Sequence, residues 1–187
     1  RWPPPHLAQR PPSTGAPGSW PALVADLASA DPALAADLRE VAIAFARDPA
    51  LADRRAEDAA ARAIDLAVAG PALGRAFAAM GDPARARAWW QRGFDASPEE
   101  PALALGLALA MVDAGDPPAA LQLVTRAAAG SGDAAATFYW AARGFAAAGA
   151  TLDAVGLARQ AIEQGAPGDE DAAAGLAAAL LRQLGVE

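Results

Sequence analysis

The chain has 187 residues and a formal net charge of −7, with 15 basic residues against 22 acidic ones. Such an acidic chain lacks the basic stripe that binds phosphates, which argues against a nucleic-acid duplex as its partner. It contains no cysteine and a single histidine, so disulfides and zinc sites of the histidine–cysteine type are excluded. It also lacks lysine, which excludes a Gly-x-x-x-x-Gly-Lys phosphate-binding loop, and we expect neither a cofactor nor a metal.

Hydrophobic residues make up 54% of the chain, and the excess over an ordinary composition is alanine. Alanine is the best helix former and lets helix backbones approach closely, so the composition predicts an all-α fold. The longest apolar run, residues 102–112, ends at Asp113 and falls short of the ~18 residues that a membrane span needs. We therefore expect no membrane span in this chain.

The absence of lysine, asparagine and cysteine indicates a GC-rich coding bias, and we expect a bacterial protein. Because the chain begins at Arg1 rather than at methionine, we expect it to be processed, trimmed or partial, with its targeting region out of view. The compartment therefore stays open between the bacterial cell envelope or periplasm and the cytoplasm.

Residues 1–19 are rich in proline and glycine, which forbid helix and favour an extended polyproline-II arm. Trp2 and Trp20 are the expected anchors of this arm on a partner. His6 lies within it, and we expect a solvated or surface-packed side chain there rather than a ligand or an acid–base group.

A helical pattern begins at Ser19, which can cap a helix that carries Pro21 in its first turn. An Asp-Pro dipeptide then recurs every 34 residues. Aspartate caps a helix and favours its positive end, while proline fits the first turn, where an amide hydrogen has no partner. Each dipeptide therefore predicts a helix start, and the three are Asp48-Pro49, Asp82-Pro83 and Asp116-Pro117.

Other positions keep the same spacing. Glycines before the predicted helix starts suit left-handed residues that end the preceding helix. Two columns of small residues predict close contact between the helices of a hairpin, and one bulky column predicts core. The glycines are Gly81, Gly115 and Gly149; the small columns are Ala52, Ala86, Ala120, Ala154 and Ala59, Gly93, Ala127, Ala161; the bulky column is Ile43, Phe77, Met111, Phe145.

These columns resemble the tetratricopeptide repeat (TPR), most fully in residues 67–100, which carry Leu73-Gly74, Phe77, Gly81-Asp82, Ala86, Trp90, Gly93 and Pro98. The resemblance implies a right-handed α-solenoid of about three to four hairpins. We expect an N-terminal helix and a degenerate hairpin over 20–66, three repeats over 67–168 and a capping helix over 169–187.

The degenerate hairpin, residues 33–66, has Arg39 and Glu40 where the repeat has an apolar and a small residue. We expect its second helix to run on to Ala69, where Gly70-Pro71 breaks it. The capping helix has an apolar face that we expect to be buried: Leu176, Leu180, Leu181 and Leu184.

In the family, the first helix of each hairpin lines the concave face. Carried over by the period, the partner-binding residues are Val68, Arg75, Leu105, Leu109, Val112, Tyr139 and Arg143. Arg75 and Arg143 share a column and could hold a carboxylate or backbone carbonyls of a partner. Alternatively, both are ordinary solvated residues or pair with Asp113. Trp89 is a further candidate anchor, which contacts either the next hairpin or a partner.

No nucleophile–base pair suggests catalysis, because the paired acids suit solvated helix faces and caps. We therefore expect a non-catalytic module for protein–protein interaction, an adaptor or assembly factor that binds a protein or peptide. The alternative is a structural subunit of a larger membrane-associated or envelope complex, held through its proline-rich arm and convex surface with an empty groove. The lysine–asparagine carboxylate clamp known in the family is excluded, since the chain has neither residue type.

Overall fold

A computed structural model describes residues 31–63, 65–165 and 173–186. Its regular secondary structure within these residues is entirely α-helical, as the composition predicts. The predicted arm over 1–19, the helix starting near Ser19 and the residues Trp2, His6 and Trp20 lie outside the described residues.

The described residues contain nine helices of similar length. In chain order they are α1 (Pro32–Phe45), α2 (Pro49–Arg62), α3 (Leu66–Ala79), α4 (Pro83–Ala96), α5 (Pro101–Asp113), α6 (Pro117–Gly130), α7 (Ala134–Ala147), α8 (Thr151–Gln164) and α9 (Ala173–Gln183).

The helix starts follow from local chemistry. The predicted Asp-Pro starts are confirmed, because α2, α4 and α6 each begin at the proline that follows the aspartate. Asp48 Oδ1 accepts a hydrogen bond from the backbone N–H of Ala50 at 2.9 Å, and Asp82 Oδ1 accepts one from Arg85 at the same distance. These bonds satisfy amides that have no partner inside the helix.

The predicted glycine helix ends are also confirmed. Gly81, Gly115 and Gly149 have φ values of 82°, 86° and 82°, in the left-handed region that favours glycine. After each glycine the next residue donates a hydrogen bond of 2.9 Å to a carbonyl of the last helical turn, at Phe77, Met111 and Phe145 respectively. This arrangement is the Schellman motif, which satisfies the final carbonyls of a helix.

The described helices belong to two compact units, divided after Ser97. In the first unit, α1 packs on α2 and α3 packs on α4, and α3 also contacts α1 and α2. In the second unit, α5 pairs with α6 and α7 with α8. There, α7 also contacts α5, α6 and α9, while α9 packs on α8. Each unit is therefore built from consecutive helical hairpins.

Both predicted columns of small residues are buried throughout. The bulky column is buried at Phe77, Met111 and Phe145, but Ile43 is 49% exposed. The face of α1 that carries Ile43 also carries the exposed Arg39 and Glu40, whose burial without partners would be costly. The helix instead buries Leu34, Leu38 and Val41 in the core of the first unit. The assignment of Ile43 to the core is wrong for this reason.

The predicted helix break at Gly70-Pro71 is also wrong. α2 ends at Arg62, and Ala63 is extended, with φ −65° and ψ 140°. α3 then runs through both residues, and the ring of Pro71 lies over Gly93 of α4, which has no side chain to obstruct it. The burial of this ring offsets the hydrogen bond that proline cannot donate.

The leucines of the capping helix are placed differently from the expectation. The buried residue of α9 is Ala177, whereas Leu176 is 41% exposed and Leu180, Leu181 and Leu184 are only half-buried. At the C-terminal end of α8, Gly165 leaves room for the side chain of Ala174. Small residues thus provide the close contact of α9, and its leucines do not form a closed buried face.

Candidate partner-binding site

An arginine stacked on two aromatic rings marks the most distinctive surface of the second unit. Tyr139, Trp140 and Arg143 lie on α7, at spacings of three and four residues that bring side chains together on a helix. The Cζ atom of Arg143 is 5.8 Å from the centroid of the Tyr139 ring and 5.2 Å from that of Trp140. The two rings are 5.1 Å apart and tilted by 54°.

The start of α7 is fixed by hydrogen bonds. Asp133 Oδ1 accepts a bond from the backbone N–H of Ala136 at 2.8 Å. The buried hydroxyl of Thr137 lies 3.0 Å from both Ser131 Oγ and the carbonyl oxygen of Asp133. These bonds satisfy polar groups at the start of α7, and the turns that follow carry Trp140 and Arg143.

Neither Trp140 nor Arg143 is fully buried, whereas Tyr139 is. Among the residues that the structure describes, no carboxylate forms an ion pair with Arg143, and its visible contacts are with the two rings. Stacking on aromatic faces holds a guanidinium in place while its edge remains able to donate hydrogen bonds. Arg143 is therefore positioned to bind an anionic group.

The predicted apolar lining of this site is buried. Leu105, Leu109 and Val112 of α5 are 6%, 5% and 4% exposed. The side chain of Leu109 packs directly on Gly144, the neighbour of Arg143. Leu109 therefore packs against α7 beside the site, and Trp140 and Arg143 are the half-buried members of the cluster.

Asp113 is a second charged residue of this unit that forms no ion pair among the residues that the structure describes. It ends α5, one helical turn after Leu109, where the negative end of the helix dipole disfavours an anion. Burial raises the pKa of the Asp113 carboxyl. Within the described part of the chain it makes neither a hydrogen bond nor an ion pair, and so the alternative pairing of Arg143 with Asp113 is not seen.

The remaining predicted site residues lie in the first unit. Val68 is 55% exposed near the start of α3. Arg75, two turns later on the same helix, is half-buried, and its Cζ atom is 5.6 Å from the centroid of the Trp90 ring on α4. Arg75 is thus oriented by an aromatic ring, as Arg143 is, but by a ring from a different helix.

Trp89 belongs to the core of the first unit. It is 5% exposed, and the Cζ atom of Arg92 lies 4.1 Å from its ring centroid. Arg92 also donates a hydrogen bond of 2.7 Å to Glu57 of α2. The structure therefore assigns Trp89 to packing between helices, and Trp140 is the more exposed tryptophan of the described residues.

Most other arginines with visible partners in the first unit form structural ion pairs. Arg85 of α4 donates hydrogen bonds to Asp53 of α2, the shorter at 2.6 Å, and Arg62 of α2 donates one of 2.7 Å to Asp37 of α1. The bonds from Arg85 lower the pKa of Asp53. These charges are therefore paired across helices within the first unit.

The repeat period predicts Tyr139 and Arg143 as site residues but does not predict their stacking with Trp140. The spacing of these three residues on one helix could have revealed the cluster. Among the described residues there is no group of three or more histidine, cysteine, aspartate or glutamate residues that could hold a metal ion. Nor, within that same part of the chain, does any helix combine the length and hydropathy needed to cross a membrane.

Comparison with known proteins adds no family assignment, because no family model, curated protein or solved structure matches the chain.

Proposed function

We propose that this chain is a non-catalytic protein-interaction module, an adaptor or assembly factor that binds a peptide or protein segment. The observation that carries the proposal is the guanidinium of Arg143, which is held by Tyr139 and Trp140 and has no carboxylate partner among the described residues. Arginine and tryptophan at a half-buried site are residue types enriched where proteins bind one another.

The hairpin architecture supports the same proposal. In the second unit each helix packs on the next one or two along the chain, as expected when successive repeats stack on their neighbours. Together with the resemblance of residues 67–100 to the tetratricopeptide repeat, this packing favours a right-handed α-solenoid. The first helices of the hairpins, including α7, would then carry the binding face.

Selection from a random peptide display library against the full chain tests this function directly. We expect enrichment of a family of related peptides. Synthetic copies of these peptides should bind the wild-type chain and lose about tenfold in affinity on Arg143→Ala, because a charge-assisted hydrogen bond is lost. Fluorescence polarisation of labelled peptides measures the affinities.

Arg159→Ala is the matched control, because Arg159 is an exposed arginine on α8 of the same unit. Its removal changes the net charge equally without touching the proposed site, and we expect unchanged affinity. Failure to enrich any peptide, or an equal loss in both variants, would contradict binding through Arg143.

A second candidate function is a structural subunit of a larger envelope or membrane-associated complex. The half-exposed leucines of α9 favour it, because apolar side chains left open at the end of a helical stack can pack against another protein. In that case Leu176→Ser and deletion of residues 1–19 should release the chain from its complex during co-purification. Arg143→Ala should leave the association intact, which separates the two candidates.

A further inference from the structure

One narrow face of α7 remains accessible although the helix is packed on several sides. α7 contacts α5, α6, α8 and α9, and half of its residues are buried. Four of its accessible residues follow one another at spacings of four, three and four: Ala136, Trp140, Arg143 and Ala147. At about 100° per residue, these spacings place all four within about 60° of one another around the helix. They form one continuous face, which we call the α7 stripe.

The spacing of the α7 stripe suits a second helix better than an extended chain. The stripe runs about 16 Å along the axis, and its side chains recur about every 5 Å. Side chains on one face of an extended chain recur about every 6.8 Å, whereas a helix that lies alongside repeats the same steps of three and four residues. Both ends of the stripe are alanines, whose small side chains let another helix approach closely.

Arg143 gives the α7 stripe its single charge. Its guanidinium lies over the rings of Tyr139 and Trp140 and forms no ion pair with any residue that the structure describes. The nearest acid on the same helix, Asp133, lies about 15 Å away along the axis, where it caps the first turn. Because the whole chain carries a net charge of −7, a strongly acidic partner would be repelled, whereas one carboxylate on an apolar face would meet Arg143.

We propose that the α7 stripe binds an amphipathic helix of a partner protein, which lies along α7 with an acidic side chain on Arg143 and a large apolar side chain on Trp140. This inference rests on the proposed function and names the chemistry of the partner. Residues three or four positions apart share one face of a helix, which matches the three-residue spacing of Trp140 and Arg143. Packing of the apolar side chain on Trp140 excludes water from the neighbouring charge-assisted hydrogen bond.

Two displayed peptide libraries, selected against the full chain, test the proposal. Peptides of the first library are alanine-rich helices of about 18 residues, randomised along one face at steps of three and four. Peptides of the second library have the same length, but they are randomised at every second position and carry interior prolines, which prevent helix formation. Sequencing identifies the enriched peptides, and fluorescence polarisation measures the affinities of synthetic copies.

Two pairs of matched variants locate the contact surface. Arg143→Gln removes the charge of the stripe, and Arg159→Gln removes an exposed arginine on α8 of the same unit. Ala147→Gln adds bulk at the exposed end of the stripe, and Ala129→Gln adds the same bulk at an exposed alanine near the end of α6. Circular dichroism confirms that each variant is helical before binding is measured.

Wild type should enrich helical peptides with an acid and a large apolar residue three or four positions apart. Arg143→Gln and Ala147→Gln should each weaken their binding by about tenfold, while Arg159→Gln and Ala129→Gln bind them as wild type does.

Three results would overturn the inference while the binding function stands. They are enrichment of proline-containing or random peptides alone, enrichment of helical peptides without the acid, and unchanged affinity of Ala147→Gln for the helical peptides. If neither these libraries nor the random library yields a peptide that binds, both proposals are overturned.

Discussion

Gly70 of α3 and Gly93 of α4 lie so close that a methyl group on Gly70 would be 2.8 Å from the Cα atom of Gly93. The same methyl group would be 2.9 Å from the carbonyl oxygen of Trp89. Both obstacles are backbone atoms, which a change of rotamer cannot move aside. The absence of two side chains therefore sets how closely α3 and α4 approach.

Gly70→Ala should lower the free energy of unfolding by about 1–3 kcal/mol, because the helices must separate to admit the methyl group. This loss occurs even though alanine favours helix by about 1 kcal/mol over glycine. Urea denaturation followed by circular dichroism measures the change.

Gly156→Ala provides the control, since Gly156 is an exposed residue inside α8, and an added Cβ would have nothing within 4 Å beyond its chain neighbours and the nearby backbone of its own helix. We expect it to raise stability by about 0.5–1 kcal/mol through helix propensity alone. A Gly70→Ala chain as stable as this control would show that α3 and α4 do not approach as described.

The contact between Gly70 and Gly93 also shows which parts of the fold could be predicted from the sequence and which could not. The helix starts at Asp-Pro and the helix ends at glycine could be predicted, because each depends only on residues within one helical turn of it. The path of α3 through Pro71 depends on Gly93 in another helix, which a local rule for proline does not include. Likewise, the rotation of α1 that exposes Ile43 depends on what α2 and α3 can bury.

Only part of the candidate site could be predicted from the sequence, because the burial of a side chain depends on other helices. The repeat period places Leu109 and Arg143 in one column, and position in a column follows from spacing. Burial does not follow from spacing, since Leu109 is covered where Gly144 lets it pack closely, while Arg143 remains half-buried on its own aromatic neighbours. The burial of Leu109 therefore depends on a residue of another helix, which spacing along its own helix does not reveal.

Trp89 and Trp140 should respond differently to truncation. Trp89→Ala removes a buried core ring and should lower the free energy of unfolding by about 3–5 kcal/mol. Trp140→Ala removes a half-buried ring, and we expect a loss of only about 1–2 kcal/mol. Thermal unfolding monitored at 222 nm measures both, and a larger loss for Trp140 would assign that ring to the core.

The ion pair between Asp53 and Arg85 should make a small, pH-dependent contribution to stability. The hydrogen bond from Arg85 lowers the pKa of Asp53 below its ordinary value of about 4. The stabilising contribution of the ion pair is therefore complete above pH 4 and is lost as the pH falls through the lowered pKa of Asp53. Because both side chains are substantially exposed, we expect only about 0.5 kcal/mol.

A double-mutant cycle with Asp53→Asn and Arg85→Gln isolates this contribution. The coupling between the two changes should shrink in 1 M salt, since salt screens the pair, and it should also shrink as the pH falls through the lowered pKa of Asp53. A coupling that is unchanged in 1 M salt would mean that the two side chains interact without charge.

The contribution of Asp113 to stability should change with pH in the opposite direction from that of Asp53. Burial raises the pKa of its carboxyl, so the folded chain binds the proton more tightly than the unfolded chain does. Stability from this group therefore falls as the pH rises through the window between the ordinary value of about 4 and the raised pKa. At neutral pH the ionised carboxylate destabilises the fold, and its position at the end of α5 adds an unfavourable interaction with the helix dipole.

Asp113→Asn should consequently raise the unfolding temperature at pH 7, and this gain should shrink as the pH falls below 4, where aspartate is protonated in both states. Glu163→Gln is the matched control, because it removes an exposed carboxylate of the same unit and should change the unfolding temperature little at either pH. Thermal melts of the three chains at pH 7 and pH 3.5 give the comparison. If Asp113→Asn lowers stability at pH 7, the carboxylate has a favourable partner within the chain.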